Sequence, residues 1–106
     1  MNFNKDIFEV VRLIPKGRVT SYGAIAKYLG DARASRRIGW ALNKSFASTP
    51  YVPAHRVVNR LGMLSGAPHF PPERSMTDEL REEGVQVKEG QVVEFEKCFW
   101  DPMTEL

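Results

Sequence analysis

The segment from Ser21 to Lys44 constrains this chain more than any other. It reads as two short helices joined by a glycine turn. Ser21 is placed to cap a helix from Tyr22 to Leu29, in which Tyr22, Ile25, Ala26 and Leu29 share one face. Gly30 supplies the left-handed residue that ends it. Asp31 follows as the expected cap of a further helix from about Ala32 to Lys44. There Ala34, Ile38, Ala41 and Leu42 point one way, while Arg36, Trp40 and Asn43 point nearly opposite. Two helices across a glycine turn, the second with a basic and aromatic outer face, form the helix-turn-helix pattern. Unrelated helical hairpins share this spacing, and an outward Arg is usually just solvated, so the pattern alone names no partner.

The flanking segments suit a small body around that pair. Phe3, Ile7, Val10, Val11 and Ile14 lie on one face of an N-terminal helix, which Pro15 and Gly17 close. Residues 46–56 are irregular, with Pro50 and Pro53. Arg56 to Ser65 reads as a small hairpin turning near Arg60–Gly62. Gly66 to Pro72 is a loop. Ser75 and Asp78 open a fourth helix with Met76 and Leu80 on its core face, and Gly84 ends it. Val85–Val87 and Val92–Phe95 flank Lys88-Glu89-Gly90 as a second hairpin. The expected fold is mainly α: a winged-helix-like helix-turn-helix domain with small β-hairpins.

Length and composition narrow the function classes. The chain has 106 residues, which predicts one domain over 1–106. It is 42% hydrophobic and 26% charged, unlike a disordered tail. No stretch approaches a membrane span, and the N-terminus lacks a signal-peptide apolar core, so no membrane partner and a cytoplasmic location are expected. Cys98 is the single cysteine and rules out an internal disulfide framework. One Cys with His55 and His69 is a poor donor set for structural zinc, so no metal and no cofactor are expected. The net charge of +2 hides an asymmetry. Residues 1–60 carry 11 Lys/Arg against 3 acids, and residues 61–106 carry 4 against 10. A basic half hints at a polyanion, although a single folded body also interleaves such charges in space.

The densest chemical cluster is Val52-Pro53-Ala54-His55-Arg56-Val57-Val58. His55 read alone is either a hydrogen-bonded structural histidine or a base. A base needs a nucleophile within reach, and its neighbour Ala54 has no reactive atom.

Four ordered segments carry a resemblance. They are Gly17 to Ala26 (GRVTSYGAIA), Ala34 to Leu42 (ASRRIGWAL), Val52 to Val58 (VPAHRVV) followed by Gly62, and Leu80 to Val85 (LREEGV). With them the chain resembles the DNA-binding, active-site domain of the O6-alkylguanine-DNA alkyltransferases. More closely it resembles the alkyltransferase-like proteins, their non-enzymatic relatives. The likeness runs from about 3 to 87 and leaves 96–106 as a C-terminal tail.

The resemblance implies roles residue by residue. The acceptor cysteine of the transferases falls at Ala54, whose methyl group cannot become a thiolate, so alkyl transfer is not expected. His55 and Glu83 match the vestigial base and the carboxylate that orients it. The resemblance implies a helix-turn-helix lying in the minor groove, with Tyr22 helping to rotate the nucleotide and Arg36 filling the gap in the stack. Thr20, Ser21, Ala34, Ser35, Arg37, Gly39 and Trp40 complete the implied DNA surface. The implied lesion pocket gathers Tyr22, Ala54, His55, Arg56, Val57, Ser65, Gly66 and Ala67, with the loop onward to about Pro72. The transferases join two active-site segments through an Asn, and the aligned residue here is Ser45. Arg37 stands where a small residue is usual. Some relatives carry an Arg near Ala67, and many a Trp at the position of Ala54.

The implied function is a monomeric damage sensor. It would bind O6-alkylguanine in double-stranded DNA, flip the base, transfer nothing and hand the lesion to nucleotide excision repair proteins. Its place would be the cytoplasm, nucleoid-associated when bound to DNA. Two alternatives stay open: a helix-turn-helix transcription regulator, and a residual alkyltransferase or hydrolase using His55.

Overall fold

Side chains one residue ahead of the first two helices decide where those helices begin. The computed structural model describes residues 2–48 and 50–106. Met1, and Thr49 within the irregular stretch read over 46–56, lie outside the described residues. Asn2 accepts the Lys5 N–H at 3.1 Å and starts α1 (Phe3–Arg12), which buries Ile7, Val10 and Val11. Ser21 accepts the Ala24 N–H at 3.0 Å and starts α2 (Tyr22–Tyr28). Gly30, at φ +85°, turns the chain out of α2.

The third helix begins later than its sequence predicts. Asp31 Oδ1 accepts the Arg33 N–H at 3.1 Å, and Asp31 O accepts the Ala34 N–H at 3.0 Å. Asp31 therefore closes a tight turn instead of capping a helix. The helix, α3, runs Ser35–Asn43 with no side-chain cap. Ile38, Ala41 and Leu42 face inward, against α1 and α2.

The first expected hairpin is a tight turn whose strand pairs elsewhere. Asn59 Oδ1 accepts both the Leu61 and the Met63 N–H at 2.9 Å. The residues before it, β2 (Val57–Val58), do not pair back across this turn. They pair in parallel with β1 (Thr20–Ser21), Thr20 opposite Val57 and Ser21 opposite Val58. Local periodicity cannot reveal a partner so distant in the chain. The second hairpin forms, antiparallel, from β3 (Val87–Lys88) and β4 (Gln91–Val92).

Alternation along β2 divides the interior. Val57 packs into a helical core with Ile7, Val11, Ile25 and Ile38. Val58 packs into a second core with Val19, Leu64, Met76, Leu80 and Val92. The second core is covered by α4 (Met76–Glu82), started by Ser75 through the Asp78 N–H at 3.4 Å.

The residues read as a tail complete the domain. After α5 (Phe95–Cys98), Val19 N–H donates to Cys98 O at 3.0 Å, and Trp100 N–H donates to Val19 O at 2.7 Å. Arg18 adds bonds to Cys98 O and Phe99 O at 3.1 and 2.6 Å. Trp100 is buried in the helical core, and α6 (Pro102–Glu105) packs on α2. Among the described residues, no helix is long and apolar enough to cross a membrane.

Candidate nucleic-acid interface

The outer face of α3 borders a cavity of about 350 Å³. Its walls are Ser35, Arg36, Gly39, Trp40 and Asn43 from α3, Tyr22 from α2, and Ser65, Gly66 and His69 from the loop after β2. The volume falls within the range of ligand pockets, roughly 300–1,000 Å³. Trp40 is 61% exposed and Arg36 is exposed, so this face offers an aromatic plane and a cation to solvent.

Tyr22 sits between the two walls. A Cβ added at Gly66 would stand 3.0 Å from the Tyr22 hydroxyl, and one at Gly39 would stand 3.8 Å from the ring. Gly66 thus lets the loop close onto the tyrosine. Burial pushes the Tyr22 hydroxyl pKa above its ordinary value, and a hydrogen bond with Ser65 offsets part of that rise.

Residues 52–58 are all buried. Ala54 to Arg56 form a single 3₁₀ turn, and all three are buried. His55 is 2% exposed, with Nδ1 3.1 Å from Glu79 Oε2 and Nε2 3.0 Å from Glu83 Oε2. Arg56 donates from Nε to Glu83 Oε1 at 2.9 Å and from Nη1 to Ile14 O at 2.9 Å. A second guanidinium bond, from Nη2 to Glu83 Oε2, makes the pair bidentate. Burial raises the Glu83 pKa, but the hydrogen bonds and charges of Arg56 and His55 outweigh it and hold the carboxyl at about 2.

The structure brings some of the expected site residues together and separates others. Tyr22, Ser35, Arg36, Gly39, Trp40, Ser65 and Gly66 share the cavity wall. Ala54, His55, Arg56 and Val57 are buried and are not part of that wall. Ala67 is half-buried against the second core. Thr20 is fully buried, and the Ser21 hydroxyl is committed to the Ala24 N–H. Ala34 is buried in the helical core. Arg37 lies over the Phe3 ring, 4.4 Å from its centroid. Ser45 is buried and donates to Leu42 O at 2.7 Å.

Asn43, expected on the outer face of this helix, and His69, within the loop expected to close the pocket, both line the cavity, although sequence reasoning assigned neither a role. Glu79, which flanks His55, was not foreseen, because nothing local marks a partner so distant in the chain.

Cys98 lies elsewhere, lining a separate cavity with Gly17, Gly84 and Lys97. Burial raises its thiol pKa, with its local hydrogen bond and the Arg18 charge opposing. Among the described residues, no group of three or more His, Cys, Asp or Glu is placed to hold a metal ion.

Residues 2–85 match the family model of the 6-O-methylguanine DNA methyltransferase DNA-binding domain. The chain belongs to this family. Within it, the chain is 33% identical to Alkyltransferase-like protein 1 of Schizosaccharomyces pombe, over 94% of this chain and 95% of that one. It is 35% identical to the DNA base-flipping protein of Escherichia coli, over 94% of this chain and 75% of that protein. The fold matches the crystal structure of S. pombe Atl1 in complex with damaged DNA containing O6-carboxymethylguanine. That match has a TM-score of 0.81 at 33% identity, over 94% of this chain and 95% of that chain. The mainly α architecture is therefore that of the methyltransferase DNA-binding domain.

Proposed function

We propose that this protein is a DNA-damage sensor for O6-alkylguanine in duplex DNA. The observation that carries the reading is the cavity between the outer face of α3 and the 65–69 loop, with Tyr22 between its walls and Arg36 at its edge. The helix-turn-helix enters the minor groove through α3. Tyr22 crowds the backbone as the damaged nucleotide rotates. Arg36 fills the space the base leaves, where a planar guanidinium both stacks and hydrogen-bonds. The flipped base enters the cavity against Trp40 and Gly39. Unstacking costs about a few kcal/mol and is least for a damaged base, which favours the lesion over normal guanine.

No alkyl transfer follows in this reading. Ala54 holds the position of the acceptor, and Cys98 lines a different cavity, with its thiol pKa raised by burial. The protein acts as a monomer in the cytoplasm and flags the site for nucleotide excision repair proteins. A sensor without chemistry requires such a hand-over.

Titration against two otherwise identical duplexes, one containing O6-methylguanine, tests this. Tighter binding to the lesion duplex is expected, with no methyl added to the intact protein mass. Equal binding would overturn lesion recognition and bring forward the transcription-regulator reading. A mass gain of one methyl would overturn the non-enzymatic reading.

A further inference from the structure

We propose that the cavity beside α3 sorts O6 adducts by charge, with His69 as the specificity-determining residue that favours adducts ending in a carboxylate. The inference rests on the lesion-sensor reading and deepens it.

The chemistry of the cavity wall is one-sided. No Asp or Glu is among the lining residues. Tyr22, Ser35, Asn43 and Ser65 supply hydroxyl and amide groups, while Arg36 and His69 supply nitrogen donors. Trp40 is the main apolar surface. With no carboxylate on the wall to repel it, an anionic group there meets side chains that can each donate a hydrogen bond to it.

Arg36 is committed to the duplex in the proposed reading. That leaves His69, on the opposite wall, as the imidazole N–H donor of the lining. Its ring makes no hydrogen bond or ion pair among the described residues, whereas its backbone is held firmly. The His69 N–H donates to Gly66 O at 3.0 Å, and the Phe70 N–H donates to Ala67 O at 3.1 Å. Pro68 stiffens this 3₁₀ turn from within. Phe70 meets Phe46 edge-on, with ring centroids 4.7 Å apart, and Arg74 lies over Phe46 at 5.5 Å. The loop therefore presents an uncommitted imidazole from a braced position, the arrangement a selective site needs. His55 is the opposite case, buried and already enclosed by Glu79 and Glu83.

The test compares four matched duplexes: unmodified guanine, O6-methylguanine, O6-carboxymethylguanine, and O6-carbamoylmethylguanine, the neutral amide of nearly equal shape. Affinities are measured for the wild-type chain, His69→Ala and His69→Lys. His69 is exposed, so neither change disturbs a core. The informative quantity is the carboxymethyl-to-carbamoylmethyl affinity ratio within one variant, which cancels any general loss of binding. We expect roughly a tenfold preference for the carboxylate in the wild type, the scale of one charge-assisted hydrogen bond. His69→Ala should abolish it, and His69→Lys should retain it. A wild-type ratio near one, a preference that persists in His69→Ala, or one absent from His69→Lys would each overturn the inference. If O6-methylguanine still binds more tightly than guanine in those cases, the sensor reading survives. If no lesion duplex is preferred, both fall together.

Discussion

His55 Nδ1 lies 3.1 Å from Glu79 Oε2, on the side of the ring away from Glu83. The imidazole is thus held between two carboxylates, and the Tyr51 hydroxyl binds the same Glu79 oxygen at 3.1 Å. A general base must turn one nitrogen toward its nucleophile. Here both nitrogens have acidic neighbours. Restoring a thiol with Ala54→Cys should therefore leave methyl transfer from an O6-methylguanine duplex slow. Adding Glu79→Gln, which removes the charge at Nδ1, should speed it. In that reaction the introduced thiol gives its proton to His55, the sulfur bonds to the methyl carbon, the O6–carbon bond breaks, and the guanine takes up a proton. Intact-mass time courses read both variants, and equal rates would show that Glu79 does not restrain His55.

The Arg56–Glu83 pair ties the 3₁₀ turn at 54–56 to the end of α4, and Arg56 also reaches Ile14 O beyond α1. Glu83 titrates at about 2 in the folded chain, against 4.5 as its ordinary value. A carboxylate depressed by folding contributes stability above its unfolded pKa and loses it as pH falls through the folded value. Thermal stability should therefore decline between about pH 4.5 and pH 2. Glu83→Gln should flatten that part of the profile. Arg56→Ala leaves the half-buried carboxylate without its main partner and should cost about 1–3 kcal/mol near neutral pH. Urea melts across the pH range would expose an error in either expectation.

Arg36 is exposed on α3 and makes no hydrogen bond or ion pair among the described residues. Arg36→Ala should change folding stability by less than about 0.5 kcal/mol. It should weaken binding to an O6-methylguanine duplex by about 1–3 kcal/mol. Arg36→Lys should recover only part of the loss, because an ammonium cannot stack like a guanidinium. Affinity unchanged by Arg36→Ala would remove this residue from the base-replacing role.

The β3–β4 hairpin turns on Glu89 and Gly90, with φ of +53° and +74°. Positive φ at both central residues is the signature of a type I′ turn, which favours Asn-Gly. Glu is a poor occupant of the first position. Glu89→Asn should raise stability by about 0.5 kcal/mol, and Gly90→Ala should lower it by about 1 kcal/mol. Denaturation midpoints moving in the opposite directions would contradict this account of the turn.

The local pattern was sufficient for much of this fold. Ser21, Gly30, Ser75 and Gly84 mark helix ends because caps and left-handed turns depend on neighbours within a few residues. The face of α3 bearing Arg36, Trp40 and Asn43 follows from helical geometry alone. The four segments around Tyr22, Arg36, Ala54 and Glu83 carried the family resemblance from the sequence alone.

Long-range partners were decided only by the tertiary structure. Val57–Val58 look like half of a hairpin, yet they pair in parallel with Thr20–Ser21. The supposed tail delivers Trp100 to the helical core. Arg56, expected near the lesion, turns inward to Glu83, and His69 joins Tyr22 and Arg36 in lining one cavity. Helix periodicity and capping are short-range and written into consecutive residues. Which buried charge finds which counter-charge, and which loop closes over which helix, depends on packing between distant segments, so it becomes visible only when the chain has folded.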